Sequence, residues 1–167
     1  MTKKEAVFSK DLPNKKMTIV RAFDATLELV WKAWTESELL DQWWAPKPYK
    51  AVTKKMDFRE GGLWLYCMMG PNNDNSWCKE EYKTIDTHKS ITINVSFCDE
   101  DANVNQEFPT MDWKKQFADT GGDTTVTVEI NFSKQEDMEM ITGMGFEEGF
   151  TAGLNNLDNL LSTQSKK

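Results

Sequence analysis

Histidine occurs once in these 167 residues and cysteine three times, at Cys67, Cys78 and Cys98, with no Cys-x-x-Cys pair. A zinc cluster therefore has too few ligands, and an odd set of scattered thiols reads as reduced cysteine in a cytoplasmic protein. No apolar run approaches the ~20 residues of a membrane span. The opening Met1-Thr-Lys-Lys-Glu-Ala-Val-Phe lacks the continuous apolar segment and small-residue cleavage site of a signal peptide. Basic charge is also short: 20 Lys and Arg against 27 Asp and Glu give a net charge of −7. Such a chain has no footprint for neutralising phosphates, so neither nucleic acid nor an anionic membrane surface is an expected partner. Nucleophile elbows, phosphate-cradling loops and metal-ligand spacings are missing, and Gly61-Gly62 reads as a turn. A conventional hydrolase, kinase or metalloenzyme is not expected, and neither a metal nor a cofactor is called for.

What the chain does have is aromatic mass: seven Trp, nine Phe and three Tyr within a 39% hydrophobic composition. That excludes disorder as a description of the whole. One domain of this length buries roughly 70% of the surface its unfolded form exposes, enough for a core without staples.

Residues 1–14 read as a loose arm, and the domain is expected over 15–163. Lys16 to Phe23 reads as a strand. Leu27, Val30, Trp31 and Trp34 then fall at i, i+3, i+4 and i+7, one face of a short helix that Asp24 or Thr26 can cap. Thr35 with Glu38 matches a capping box for a second short helix, carrying Leu39, Leu40, Trp43 and Trp44 and ended by Pro46 and Pro48. From Tyr49 to Phe132 the period changes to two. Segments 49–58, 63–69, 77–87, 90–98, 110–118 and 123–132 are separated by short turns, which predicts an antiparallel meander. Ser133 and Glu136 suggest another cap, and an apolar stripe from Phe146 through Phe150, Leu154 and Leu157 to Leu161 predicts a long terminal helix. Gly143 and Gly145 predict a break before it. The sum is an α+β chain of about seven strands, two short helices after the first strand, and one long helix to cover the sheet.

Several blocks resemble the START-like, birch-pollen-allergen-like superfamily, also called SRPBCC or helix-grip. They are Ile19-Val-Arg21-Ala-Phe23, Val30-Trp31-Lys-Ala-Trp34-Thr35, Leu40-Asp-Gln-Trp43-Trp44-Ala-Pro46 and Met56-Asp57-Phe-Arg59-Glu-Gly61-Gly62-Leu-Trp64. Met144-Gly145-Phe-Glu-Glu-Gly149-Phe and Leu154-Asn-Asn-Leu157-Asp-Asn-Leu160-Leu161 complete the set. The branch they resemble is named for homologues of the activator of the heat-shock-90 chaperone ATPase. The resemblance implies a helix-grip fold, a curved antiparallel sheet wrapped around the C-terminal helix. Its members include small-molecule binders, cyclases and a chaperone-activating domain, so fold does not settle chemistry.

A sheet gripping one helix leaves space unless large side chains fill it. Alternation in 63–69 places Trp64, Tyr66 and Met68 on one face, and in 90–98 it turns Ile91, Ile93, Val95 and Phe97 inward. The expected wall is Trp44, Tyr66, Met68 and Tyr82, with Val95, Phe97 and Phe117 from later strands and Phe146 and Phe150 from the helix. Bland readings compete at each position. The tryptophans also serve as packing, and Gly145, Gly149 and Gly153 allow either close helix approach or room for a ligand. His88 reads as a turn residue and Asp57 with Arg59 as a surface pair. One of Glu80 and Glu81 is expected outside; the other, if inside, offers a base. No catalytic residue is assigned. The leading expectation is a cytoplasmic binder of a small, largely apolar molecule. A cyclase or isomerase using the same cavity, and a chaperone-activator-like interaction module, are the alternatives.

Overall fold

In Lys16–Phe23 the residues Met17, Ile19, Arg21 and Phe23 are buried while their neighbours are not, the period-two pattern of a strand with one covered face. The structure, a computed structural model, describes residues 5–164. Its elements run β1 (Val7–Asp11), β2 (Lys16–Phe23), α1 (Leu27–Thr35), α2 (Ser37–Trp43), β3 (Lys50–Met56), β4 (Leu63–Met69) and β5 (Asn75–Asp86). They continue with β6 (Ser90–Cys98), β7 (Met111–Asp119), β8 (Thr124–Asn131), α3 (Gln135–Gly143) and α4 (Phe146–Gln164). All eight strands form one antiparallel sheet in the order β1-β2-β8-β7-β6-β5-β4-β3. The meander from β3 to β8 closes back on β2, and α1 and α2 make the long connection from β2 to the far edge. The fold is the α+β helix-grip arrangement.

Among the described residues the strand count is eight, not about seven. Val7–Asp11, read from sequence as part of a loose arm, pairs with β2, Val7 opposite Val20; residues 1–4 of that arm lie outside the described residues. Two caps also differ. Thr26 does cap α1, its Oγ1 accepting from the Leu29 N–H at 3.3 Å. Thr35, however, is the last residue of α1 and donates to the Trp31 carbonyl at 2.8 Å, leaving Glu36 at the start of α2 without a side-chain cap. Likewise α3 starts after Lys134, not from a Ser133 box. The break before the long helix is real: Gly145 adopts φ +85°, a left-handed conformation that glycine takes without a Cβ penalty.

α4 buries Leu154, Leu157 and Leu161 in one cluster with Ile19, Ile93, Val128 and other inward strand residues. It is held closely to the segment after α2. Asn156 Nδ2 donates to the Ala45 carbonyl at 3.2 Å, and a Cβ at Gly153 would stand 3.1 Å from the Trp44 carbonyl oxygen. Arg21 on β2 forms an ion pair with Asp158 on the same helix at 3.1 Å. Among the described residues no helix is long and apolar enough to cross a membrane.

Candidate functional site

Register brings the inward side chains of the central strands into rows. Tyr66 lies opposite Cys78 and Cys78 opposite Phe97; Glu80 lies between Trp64 and Val95, and Val95 faces Met111. The first turn of α4 stands over the open part of this surface. Between them is a cavity of about 210 Å³. The sheet contributes Tyr66 and Met68 from β4, Cys78 and Glu80 from β5, Val95 and Phe97 from β6, and Met111 and Trp113 from β7. Trp44 and Pro46 from the segment after α2, and Ile141, Met144, Phe146, Gly149 and Phe150 from α3, α4 and the turn between them, complete the wall. Met144, 51% exposed, lies at the solvent side.

Seven of the nine wall positions read from the sequence meet here: Trp44, Tyr66 and Met68, then Val95 and Phe97, then Phe146 and Phe150. Tyr82 and Phe117 do not. Each shares the correct strand face but sits one same-face step beyond a charged residue, Tyr82 beyond Glu80 and Phe117 beyond Lys115. Both are packed instead in a solid aromatic cluster, with Tyr82 5.0 Å from Phe58 and Phe117 5.1 Å from Trp31. The Glu80–Lys115 pair ends the cavity before it reaches them.

That pair is the main feature the sequence reading left unassigned. Lys115 Nζ donates to Glu80 Oε1 at 3.1 Å, with side chains only 3% and 1% exposed. The ammonium faces three indoles, its Nζ 5.1 Å from the Trp44 ring centroid, 5.5 Å from Trp34 and 5.8 Å from Trp113. Such contacts partly replace lost hydration. Burial raises the Glu80 carboxyl above its ordinary value, and the Lys115 charge and hydrogen bond pull it back down. Glu81 points outward, so of the two glutamates it is Glu80 that reaches the cavity.

The remaining polar atoms on the wall are few. Trp44 Nε1 donates to the Tyr66 hydroxyl at 3.0 Å. Burial pushes the Tyr66 phenol well up, and it pushes the Cys78 thiol up to about 12. Neither is a thiolate or phenolate nucleophile at neutral pH. Trp43 Nε1 finds a backbone carbonyl, Ala33, at 2.9 Å. The glycine strip divides by role: Gly145 makes the turn, Gly149 lines the cavity, and Gly153 permits close approach to the segment after α2. His88 occupies a turn with φ +64°, its ring 5.5 Å from Trp31 outside the cavity. Asp57 and Arg59 form an exposed pair at 2.8 Å. The three cysteines are free and buried, and on the β4–β5 ladder Cys67 lies opposite Trp77 and Cys78 opposite Tyr66.

Met111 and Trp113 were missed although their signal was present, and of the glutamate pair weighed from the sequence it is Glu80 that lines the cavity. Met111 and Trp113 have the parity of Phe117, and Glu80 that of Tyr82. Residues 24–162 match the model of the family described as Activator of Hsp90 ATPase homolog 1-like protein. The chain belongs to that family. Solved structures agree. A crystal structure from Mycobacterium smegmatis is 27% identical, with 93% of this chain and 96% of that one covered at a TM-score of 0.87. A solution structure from Arthrobacter aurescens is 26% identical over 94% and 91% of the two chains, with a TM-score of 0.88. Another from Staphylococcus epidermidis is 26% identical over 95% and 94%, with a TM-score of 0.83. Among curated proteins nothing matches the chain.

Proposed function

We propose that this chain binds a small, largely apolar molecule in the cavity between the sheet and α4. One observation carries the reading: a space of about 210 Å³ remains where the fold has enough large side chains to fill it. Interiors otherwise pack to crystal density. An engineered apolar cavity of about 150 Å³ holds benzene, so this one suits a molecule of one or two rings. Its aromatic and sulfur-rich wall favours a flat shape, and methionine at Met68, Met111 and Met144 adapts to irregular outlines. Three buried free thiols suit a reducing, cytoplasmic setting.

Mass spectrometry of what co-purifies, followed by a thermal-shift screen of apolar metabolites, tests the proposal. A ligand at a hundredfold excess over its Kd adds about 2.7 kcal/mol to stability. Phe150→Trp, which crowds the cavity, is expected to abolish that gain; an unchanged gain would contradict the site.

A second reading, a cofactor-independent isomerase or cyclase, draws on Glu80, a buried carboxylate on the cavity wall. Binding is favoured because one Glu80 oxygen is already held by Lys115. Recovery of the bound molecule unchanged supports binding. Conversion by the natural chain but not by Glu80→Gln would establish catalysis instead. The interaction reading has less support, since the exposed Val7 and Val20 lie at one sheet edge and Val52 and Met69 at the other.

A further inference from the structure

We infer that the molecule held in this cavity is a flat apolar alcohol or phenol whose hydroxyl closes on Glu80 Oε2; this rests on the binding reading above. Lys115 fixes which oxygen of the carboxylate is engaged. Its Nζ sits 3.1 Å from Oε1 and is ringed by three indoles, with centroids 5.1, 5.5 and 5.8 Å away. Oε2 is buried with no hydrogen-bond partner among the described residues, on a residue that lines the cavity. A buried carboxylate oxygen without a donor is costly, and a charged acceptor makes a strong hydrogen bond when a donor arrives. Tyr66 is not that donor: its oxygen accepts the Trp44 N–H, and its hydroxyl is hydrogen-bonded to the Cys78 thiol instead.

One other polar atom of the wall residues is buried and unpartnered, the Trp113 indole N–H, a donor. Glu80 and Trp113 flank the same ammonium. Two residues of the wall thus each carry one buried, unpartnered polar atom, an acceptor on Glu80 and a donor on Trp113, among mostly apolar side chains. A hydroxyl is the smallest group that gives a proton and accepts one through a single oxygen. A hydrocarbon does neither and a methyl ether only accepts. A carboxylate would bring a second negative charge against Glu80 with no spare cation on the wall.

Four bicyclic probes separate these cases: naphthalene, 2-methoxynaphthalene, 2-naphthol and 2-naphthoate, titrated by calorimetry at neutral pH. The natural chain is expected to bind 2-naphthol about 10–100-fold more tightly than 2-methoxynaphthalene, as a hydrogen bond to a charged acceptor implies. 2-Naphthoate should bind most weakly. In a Glu80→Met, Lys115→Met double variant, which replaces both charges with apolar side chains of similar length, the preference should fall to about threefold or less while binding persists. Glu80→Gln gives a second readout. Its amide oxygen can face Lys115 and its NH₂ then stands where the free acceptor was, so the hydroxyl preference should again collapse. Equal affinity of the natural chain for 2-naphthol and its methyl ether overturns the inference and leaves the binding reading intact. So does a preference that survives both variants. Failure of every probe to bind contradicts the binding reading itself, and the inference with it.

Discussion

Replacing Lys115 by methionine strips the Glu80 carboxylate of its counter-charge at a site where the two side chains are 3% and 1% exposed. Methionine fills most of the space, so lost packing is a small part of the effect. The larger part is a buried charge left uncompensated, for which about 3–5 kcal/mol is the expected loss. Replacing Glu80 by methionine as well removes both charges, and the double variant should lie within about 1 kcal/mol of the natural chain or above it. Urea unfolding at constant m reads the difference, and in a chain of this size 3–5 kcal/mol is roughly 6–20 °C in Tm. The pH dependence gives an independent check. Burial raises the folded Glu80 carboxyl above its ordinary value near 4.5. The folded state therefore takes up this proton before the unfolded state as pH falls. Stability from this group rises on descending from its raised value to about 4.5, and is lost on ascending through that window. Lys115 opposes the rise, so Lys115→Met extends the window upward and recovers part of its loss on acidification from neutral pH. Each further tenfold gain in the proton affinity of the folded carboxyl is worth about 1.4 kcal/mol. A Lys115→Met cost below about 1 kcal/mol, or a double variant as unstable as the single, would refute the buried-pair account.

The docking of α4 gives two further tests. Leu157 is fully buried, and Leu157→Ala should cost about 2–5 kcal/mol in chemical denaturation; a cost under about 1 kcal/mol would show that this face is not core. Gly153→Ala places a methyl 3.1 Å from the Trp44 backbone oxygen and should destabilise by about 1–3 kcal/mol. Gly149→Ala, whose nearest neighbour is the Pro46 ring at 3.7 Å, should not lose stability, because alanine favours the helix.

Much of this architecture was legible in the sequence because it is written in local period. The strands from β2 to β8, the two tryptophan-bearing helices and the break at Gly145 all follow from spacing and glycine placement. β1 was not legible, since Val-Phe-Ser-Lys-Asp is a short, mostly exposed edge strand with little pattern to read. The inward faces were readable as well: Tyr66 and Met68, Val95 and Phe97 all turn as alternation requires. What alternation cannot give is depth along the strand. Tyr82 and Phe117 face inward, yet each lies one same-face step beyond a member of the charged pair and packs on an aromatic ring there, Tyr82 on Phe58 and Phe117 on Trp31. Lys115 was hidden for a different reason. A lysine in a strand reads as a solvent-facing residue, and its burial depends on a carboxylate 35 positions earlier and on three indoles from two other segments and its own strand.

The most direct test of the binding claim uses the methionine methyl groups as reporters. Met68, Met111 and Met144 line the cavity, whereas Met17 is buried on β2 and Met56 ends β3, both away from it. In a methyl-labelled sample titrated with 2-naphthol, the NMR signals of Met68, Met111 and Met144 should shift together and saturate at one equivalent of bound probe, with Met17 and Met56 unmoved. Signals that stay fixed up to the solubility limit, or that drift equally at all five positions, would contradict a ligand site between the sheet and α4.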